Sequence, residues 1–163
     1  MKIKIITTGG SIDKHYSLHS SQFEVGPPQV EAILREANIT FEYEIEQILA
    51  KDSLEIEEDE RRRIVERVRN DPHPRILITH GTDTMVLTGQ ALAGIPDKVI
   101  VLTGSMQPAA FKQSDAAFNI GFAVAALQTL PVGVHIAMNG RIFDPQRARK
   151  NLELERFESL DGE

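Results

Sequence analysis

Three short segments of this chain place hydroxyls and glycine directly after an apolar run. They are Thr8-Gly9-Gly10-Ser11 after Lys2–Thr7, His80-Gly81-Thr82-Asp83 after Arg75–Thr79, and Thr103-Gly104-Ser105 after Lys98–Leu102. A hydroxyl is a poor nucleophile at neutral pH and acts only beside a base. Glycine lets backbone N–H groups approach a ligand, where they can hold a developing oxyanion. Each segment also has a plain structural reading. Gly9-Gly10 makes a turn, and Thr82-Asp83 can cap a helix. Ser53, in Lys51-Asp52-Ser53, reads locally as a turn residue, and Lys150, in Arg147-Ala148-Arg149-Lys150, as a solvated lysine. The first glycine pair is not a Walker loop, since no Lys-Ser/Thr follows at the required spacing. His80 has no carboxylate or histidine at a ligand spacing, so no metal site is expected.

The elements that must carry these segments follow from the pattern of apolar residues. Lys2–Thr7, Arg75–Thr79, Lys98–Leu102 and Val132–Met138 are short, β-branched runs of a buried strand's length. Phe41–Ile48 alternates apolar and acidic residues, as an exposed or edge strand does. Helices are expected from Pro27-Pro28 to about Ala37, from about Ile56 to Arg69, from Asp83 to Ala93, and from Ser114 or Asp115 to Gln128. On the second of these, Glu57-Arg61, Glu58-Arg62 and Asp59-Arg63 are i,i+4 pairs suited to a solvated face, with Ile64 and Val68 buried. Thr8–Phe23 reads as a long polar loop, which is usually functional or mobile. Asn139-Gly140 marks a tight turn into a hairpin arm. Residues 145–163 read as a charged C-terminal tail. Strands alternating with helices predict an α/β fold: a parallel open sheet with helices on both faces, a Rossmann-like or flavodoxin-like three-layer sandwich. Ligands of such sheets collect beyond the carboxyl ends of the strands, where all three segments fall.

Composition narrows the classes. A length of 163 residues suits one domain, and 26% charged residues with 41% hydrophobic suit a soluble globular protein. A net charge of -6 argues against a nucleic-acid surface. The weakly charged stretch Ala116–Ala137 is too interrupted by Asn119, Gly121, Gln128, Pro131 and Gly133 for a membrane span. There is no cysteine, which excludes disulfides and thiolate chemistry, and no export-like leader; the cytoplasm is the expected location.

Taken together, the motifs resemble the bacterial-type L-asparaginase and glutaminase family. The family's TGGTI stands here as Thr8-Gly9-Gly10-Ser11-Ile12, and its HGTDT as His80-Gly81-Thr82-Asp83-Thr84. Asp52-Ser53, Thr103-Gly104-Ser105-Met106-Gln107-Pro108, Asp115 with Phe118-Asn119, and Met138-Asn139 running into Lys150 match in order along the whole chain. The resemblance implies an asparaginase-type catalytic N-terminal domain spanning 1–163, without the second domain that usually completes a neighbour's site. It implies Ser11 as attacking hydroxyl, Thr82 as second catalytic hydroxyl bonded to Lys150, and Asp83 as holder of the substrate ammonium. Asp52, Ser53, Gly81 and Ser105 join Thr82 and Asp83 in binding substrate. The family's loop tyrosine aligns with Phe23, which has no hydroxyl, so Tyr16 is assigned its activating role. Serine replaces threonine at position 11, and Leu54 stands where a polar residue often touches the substrate. The implied reaction is hydrolysis of L-asparagine, with L-glutamine a second candidate, through an acyl-enzyme without cofactor or metal. A homodimer or homotetramer is implied, with no nucleic-acid or membrane partner. The rival is a catalytically weak domain that senses asparagine or aspartate. An amidase subunit serving a tRNA-dependent amidotransferase is a weaker third reading.

Overall fold

The computed structural model describes residues 1–162. The chain runs β1 (Lys2–Gly9), a hairpin of β2 (Lys14–Ser17) and β3 (Gln22–Val25), α1 (Val30–Glu36), β4 (Glu42–Lys51) and α2 (Glu58–Asn70). It continues with β5 (Arg75–Thr79), α3 (Met85–Ala91), β6 (Val99–Thr103), α4 (Ala116–Thr129), β7 (Gly133–Met138) and β8 (Arg141–Phe143). It ends on β9 (Ala148–Asn151) and β10 (Arg156–Ser159).

Six strands form one sheet in the order β4-β1-β5-β6-β7-β8, parallel throughout except for β8, which turns back against β7. The continuous apolar runs divide by period 2 into two cores. Ile6, Ile76, Ile78, Ile100 and Leu102 pack with Ile64 and Val68 of α2 and Met85 of α3 on one face. Ile3, Ile5, Leu77, Val99 and Val101 pack with Leu34 of α1 and Ile120, Ala123 and Leu127 of α4 on the other. This is the expected three-layer sandwich. Its strand order is the flavodoxin one, in which the connections leaving β1 and β4 reverse direction, so the topological switch point lies between β1 and β5.

Three expectations change. The segment read as a charged tail is folded: β9 and β10 pair antiparallel, and Ala148 and Phe157 are buried in the core on the α2–α3 face. With only these two apolar residues among Arg147, Arg149, Lys150, Arg156 and Glu158, the strand pattern is hidden by charge. The polar loop after β1 contains a second antiparallel hairpin, with Tyr16 opposite Phe23. On α2, Arg61 does not lie on the solvated face; it is 6% exposed and turns inward towards α3.

Candidate active site

The site is built by backbone approach. Gly9 and Gly10 have φ of +98° and +86°, a region costly for any residue with a Cβ, and they carry the chain off the end of β1. A methyl on Gly10 would stand 2.4 Å from Gly81 Cα; one on Gly81 would stand 2.6 Å from Ser53 Cβ. One on Gly104 would meet the His80 carbonyl at 2.3 Å. The ends of β1, β5 and β6 and the turn after β4 are therefore in van der Waals contact, and the glycines permit it. The Gly10 N–H adds a 2.9 Å bond to the Lys51 carbonyl.

Ser11 opens a single 3-10 turn, Ser11–Asp13, immediately beyond this contact, and it is partly exposed. Ser53 is buried; its Oγ accepts the Thr84 N–H at 3.3 Å, and its carbonyl accepts the Thr84 hydroxyl at 2.8 Å. Asp52 caps the Ser53–Glu55 turn by accepting the Leu54 N–H. Its other oxygen accepts Lys14 Nζ at 2.7 Å. Burial alone would raise the Asp52 pKa, but Lys14, the Leu54 N–H and Lys150 together hold its carboxylate below the usual range.

Lys150 closes the site from β9. Its Nζ lies 2.7 Å from Thr82 Oγ1 and 2.6 Å from Asp83 Oδ1, across 68 and 67 residues of chain. Thr82 is nearly buried, and Lys150 itself retains 15% side-chain exposure, so this pair is shielded from most competing water. Behind it His80 is fully buried, with Nδ1 2.7 Å from the Gly81 carbonyl and Nε2 2.8 Å from Thr88 Oγ1.

The structure thus brings together Ser11, Asp52, Ser53, Gly81, Thr82, Asp83 and Lys150. Two assigned hydroxyls make no hydrogen bond to these groups among the described residues. Ser105 is buried, with its hydroxyl donating to the Gln107 carbonyl of its own turn. That turn is pinned by Asp115, whose carboxylate accepts the Met106 and Gln107 N–H groups rather than capping α4. Tyr16 is half exposed on β2, edge-on to Phe23 with ring centroids 5.6 Å apart, and its hydroxyl makes no hydrogen bond among the described residues. Lys14, Thr88 and Arg61 were not expected. Nothing local distinguishes Lys14 from a surface lysine, and Thr88 shows only as a hydroxyl eight residues beyond His80. A hollow of about 550 Å³ is lined by Arg149 and Arg156, both paired with Glu158, and by none of these site residues. Among the described residues no group of three or more histidines and acids could hold a metal ion.

Asp13, two residues beyond Ser11, is buried at 2% exposure. Burial pushes its carboxyl up to about 7, although the Gln29 N–H, 2.8 Å from Oδ1, opposes the rise. Oδ2 has no partner. Since the native pKa lies above the unfolded value, the unfolded state holds fewer protons between about pH 4 and 7, and stability falls as pH rises through that window. Asp13→Asn should flatten this dependence and stabilise the protein above pH 7, by up to a few kcal/mol on the order expected for a buried charge. Chemical denaturation of both proteins across pH 4–8 checks it, and parallel curves would rule the effect out.

A flavodoxin-order sheet with two hydroxyls, a lysine and acids gathered at its switch point defines an α/β domain with a polar crevice at its strand ends. The chain belongs to the asparaginase family: the family model described as Asparaginase, N-terminal, matches residues 2–161. It is 32% identical over 175 residues to the L-asparaginase of Thermococcus kodakarensis, covering 99% of this chain and 52% of that protein. It is 29% identical over 170 residues to the glutaminase-asparaginase of Acinetobacter glutaminasificans, covering 93% and 50%. The solved structure of the Thermococcus kodakarensis enzyme superposes with a TM-score of 0.84 at 31% identity over 98% of this chain and 51% of that one. The chain spans about half the length of these relatives.

Proposed function

We propose that residues 1–163 form one catalytic unit that hydrolyses L-asparagine to L-aspartate and ammonia, with L-glutamine as the alternative substrate. The observation that carries this reading is the contact of Lys150 with both Thr82 and Asp83 at the switch point, one glycine-to-glycine step from Ser11. Ser11 Oγ attacks the side-chain amide carbon, because its hydroxyl makes no hydrogen bond among the described residues, whereas Thr82's is engaged by Lys150. Thr82 Oγ1 accepts the serine proton as it passes its own hydroxyl proton to the leaving nitrogen, which departs as ammonia, while the Lys150 ammonium holds Thr82 Oγ1 in place. Water then cleaves the Ser11 ester to aspartate. Asp52 and Asp83 against Lys14 and Lys150 make the charged lining neutral in sum, as a zwitterionic amino acid requires.

In this reading Tyr16 swings inwards with the β2–β3 hairpin to hold the Ser11 hydroxyl. Its register opposite Phe23 supports the role, since Phe23 occupies the family tyrosine's aligned position. Tyr16→Phe should then lower kcat by about 10²-fold or more while leaving stability unchanged. An unaffected kcat would transfer the role to another group. A homo-oligomer in the cytoplasm is the proposed setting. Phe118, 61% exposed and stacked on Phe122, supports a contact face on α4, whereas Met85 on α3 is fully buried and takes no part in one. No helix among the described residues is long and apolar enough to cross a membrane. The deciding experiment is ammonia release from L-asparagine and L-glutamine by the purified protein. Binding detected calorimetrically without release would replace hydrolysis with sensing.

A further inference from the structure

A buried chain of hydrogen bonds runs behind the crevice, and the chemistry of its ends sets its direction. The Gly81 carbonyl can only accept, so His80 Nδ1 at 2.7 Å carries the proton. The Arg61 Nε–H can only donate, and Thr88 Oγ1 accepts it at 3.2 Å. The threonine proton is then directed to His80 Nε2, 2.8 Å away. Burial holds the His80 pKa down to about 4, with the Gly81 carbonyl opposing and the Arg61 charge assisting, so the ring is neutral at physiological pH. Arg61 comes from α2, Thr88 from α3, and His80 from the end of β5, so one chain of bonds ties three elements to a single peptide group.

That peptide is Gly81–Thr82. No peptide bond here is cis, so its C=O and N–H point in opposite directions. With the carbonyl held by His80, the Thr82 N–H points away from the buried ring, and it makes no hydrogen bond among the described residues. We propose that Arg61 and Thr88 are positioning residues: they fix His80 as the Nδ1–H tautomer, and His80 locks the Gly81–Thr82 peptide so that the Thr82 N–H is presented to the oxyanion formed on amide attack. The proposal rests on the hydrolytic reading. Its energetic logic is that such a donor helps only when it is aimed before the charge develops.

Thr88→Val removes the hydroxyl at nearly constant volume, and Thr88→Ser restores it. Complete loss of an oxyanion donor typically costs about 10²–10³-fold in turnover, and a loosened one less. Thr88→Val should therefore lower kcat for L-asparagine by roughly 10–100-fold with KM little changed, and Thr88→Ser should recover it. Nitrogen-15 NMR of the wild-type protein should show His80 protonated at Nδ1 and bare at Nε2, a measurement that needs no variant to fold. An Nε2-protonated ring in the wild type, or an undiminished kcat in Thr88→Val, overturns the proposal. If the wild type releases no ammonia, the hydrolytic reading itself fails, while the tautomer still decides whether the hydrogen-bond chain exists.

Discussion

Ser11→Ala is expected to reduce L-asparagine turnover by on the order of 10⁴–10⁶-fold, the range seen when a hydrolase loses one member of its nucleophilic machinery. Its thermal unfolding midpoint should not move. The residue is partly exposed, and its hydroxyl makes no hydrogen bond among the described residues, so the fold does not depend on it. Its backbone does matter: the Ser11 carbonyl accepts the Lys14 N–H that closes the 3-10 turn, and alanine preserves that bond. Ser11→Thr should retain or raise activity, because the added methyl restricts χ1 and narrows the directions in which the hydroxyl can point. Steady-state ammonia release and calorimetric melting on the same preparations make the comparison. Turnover by Ser11→Ala within tenfold of wild type would pass the attack to Thr82.

Lys150→Met should lower kcat by about 10²–10⁴-fold, the span typical for disabling an acid–base group, here the Thr82 hydroxyl that the lysine positions. Methionine keeps most of the aliphatic stem, so packing of β9 is preserved and the lost ammonium is isolated as the cause. Thr82 loses its 2.7 Å partner, and Asp83 loses its 2.6 Å counter-ion. The Asp52 carboxylate should also titrate higher, because Lys150 is one of the charges holding it down. If the lysine serves only as the counter-ion of Asp83, Thr82→Val, which leaves that ion pair in place, should leave kcat unchanged. An unchanged kcat in that variant would falsify the proton relay and leave Lys150 a structural ion pair.

Much of the fold was legible because it rests on short-range physics. The buried runs from Lys2, Arg75 and Lys98 are strands wherever they sit, since β-branched residues four to six long suit nothing else as well. The glycines at 9, 10, 81 and 104 follow strand ends, and those positions alone place Ser11, Thr82 and Asp83 on one edge of a parallel sheet. The Lys150 role came only through family resemblance, because its immediate neighbours describe a solvated basic run.

The tail from residue 145 was misread for a related reason. β9 and β10 have no apolar stripe of their own, and what they bury, Ala148 and Phe157, packs into the core shared with α2 and α3. Arg61 shows the opposite case. Its i,i+4 spacing from Glu57 is correct as geometry on an isolated helix, yet α2 turns it onto Thr88 of α3, a partner 27 residues away. For Ser105 and Tyr16, the direction in which each hydroxyl points depends on its neighbours in three dimensions. The amino-acid sequence by itself determined the strands of the main sheet, the helices, the glycine turns and the edge of the sheet where chemistry belongs, because sterics and hydrophobic periodicity act within a few residues. Only the tertiary structure decided which side chains from distant segments meet there, above all Lys150 with Thr82 and Arg61 with Thr88 and His80, because contacts across long stretches of chain depend on how the layers pack.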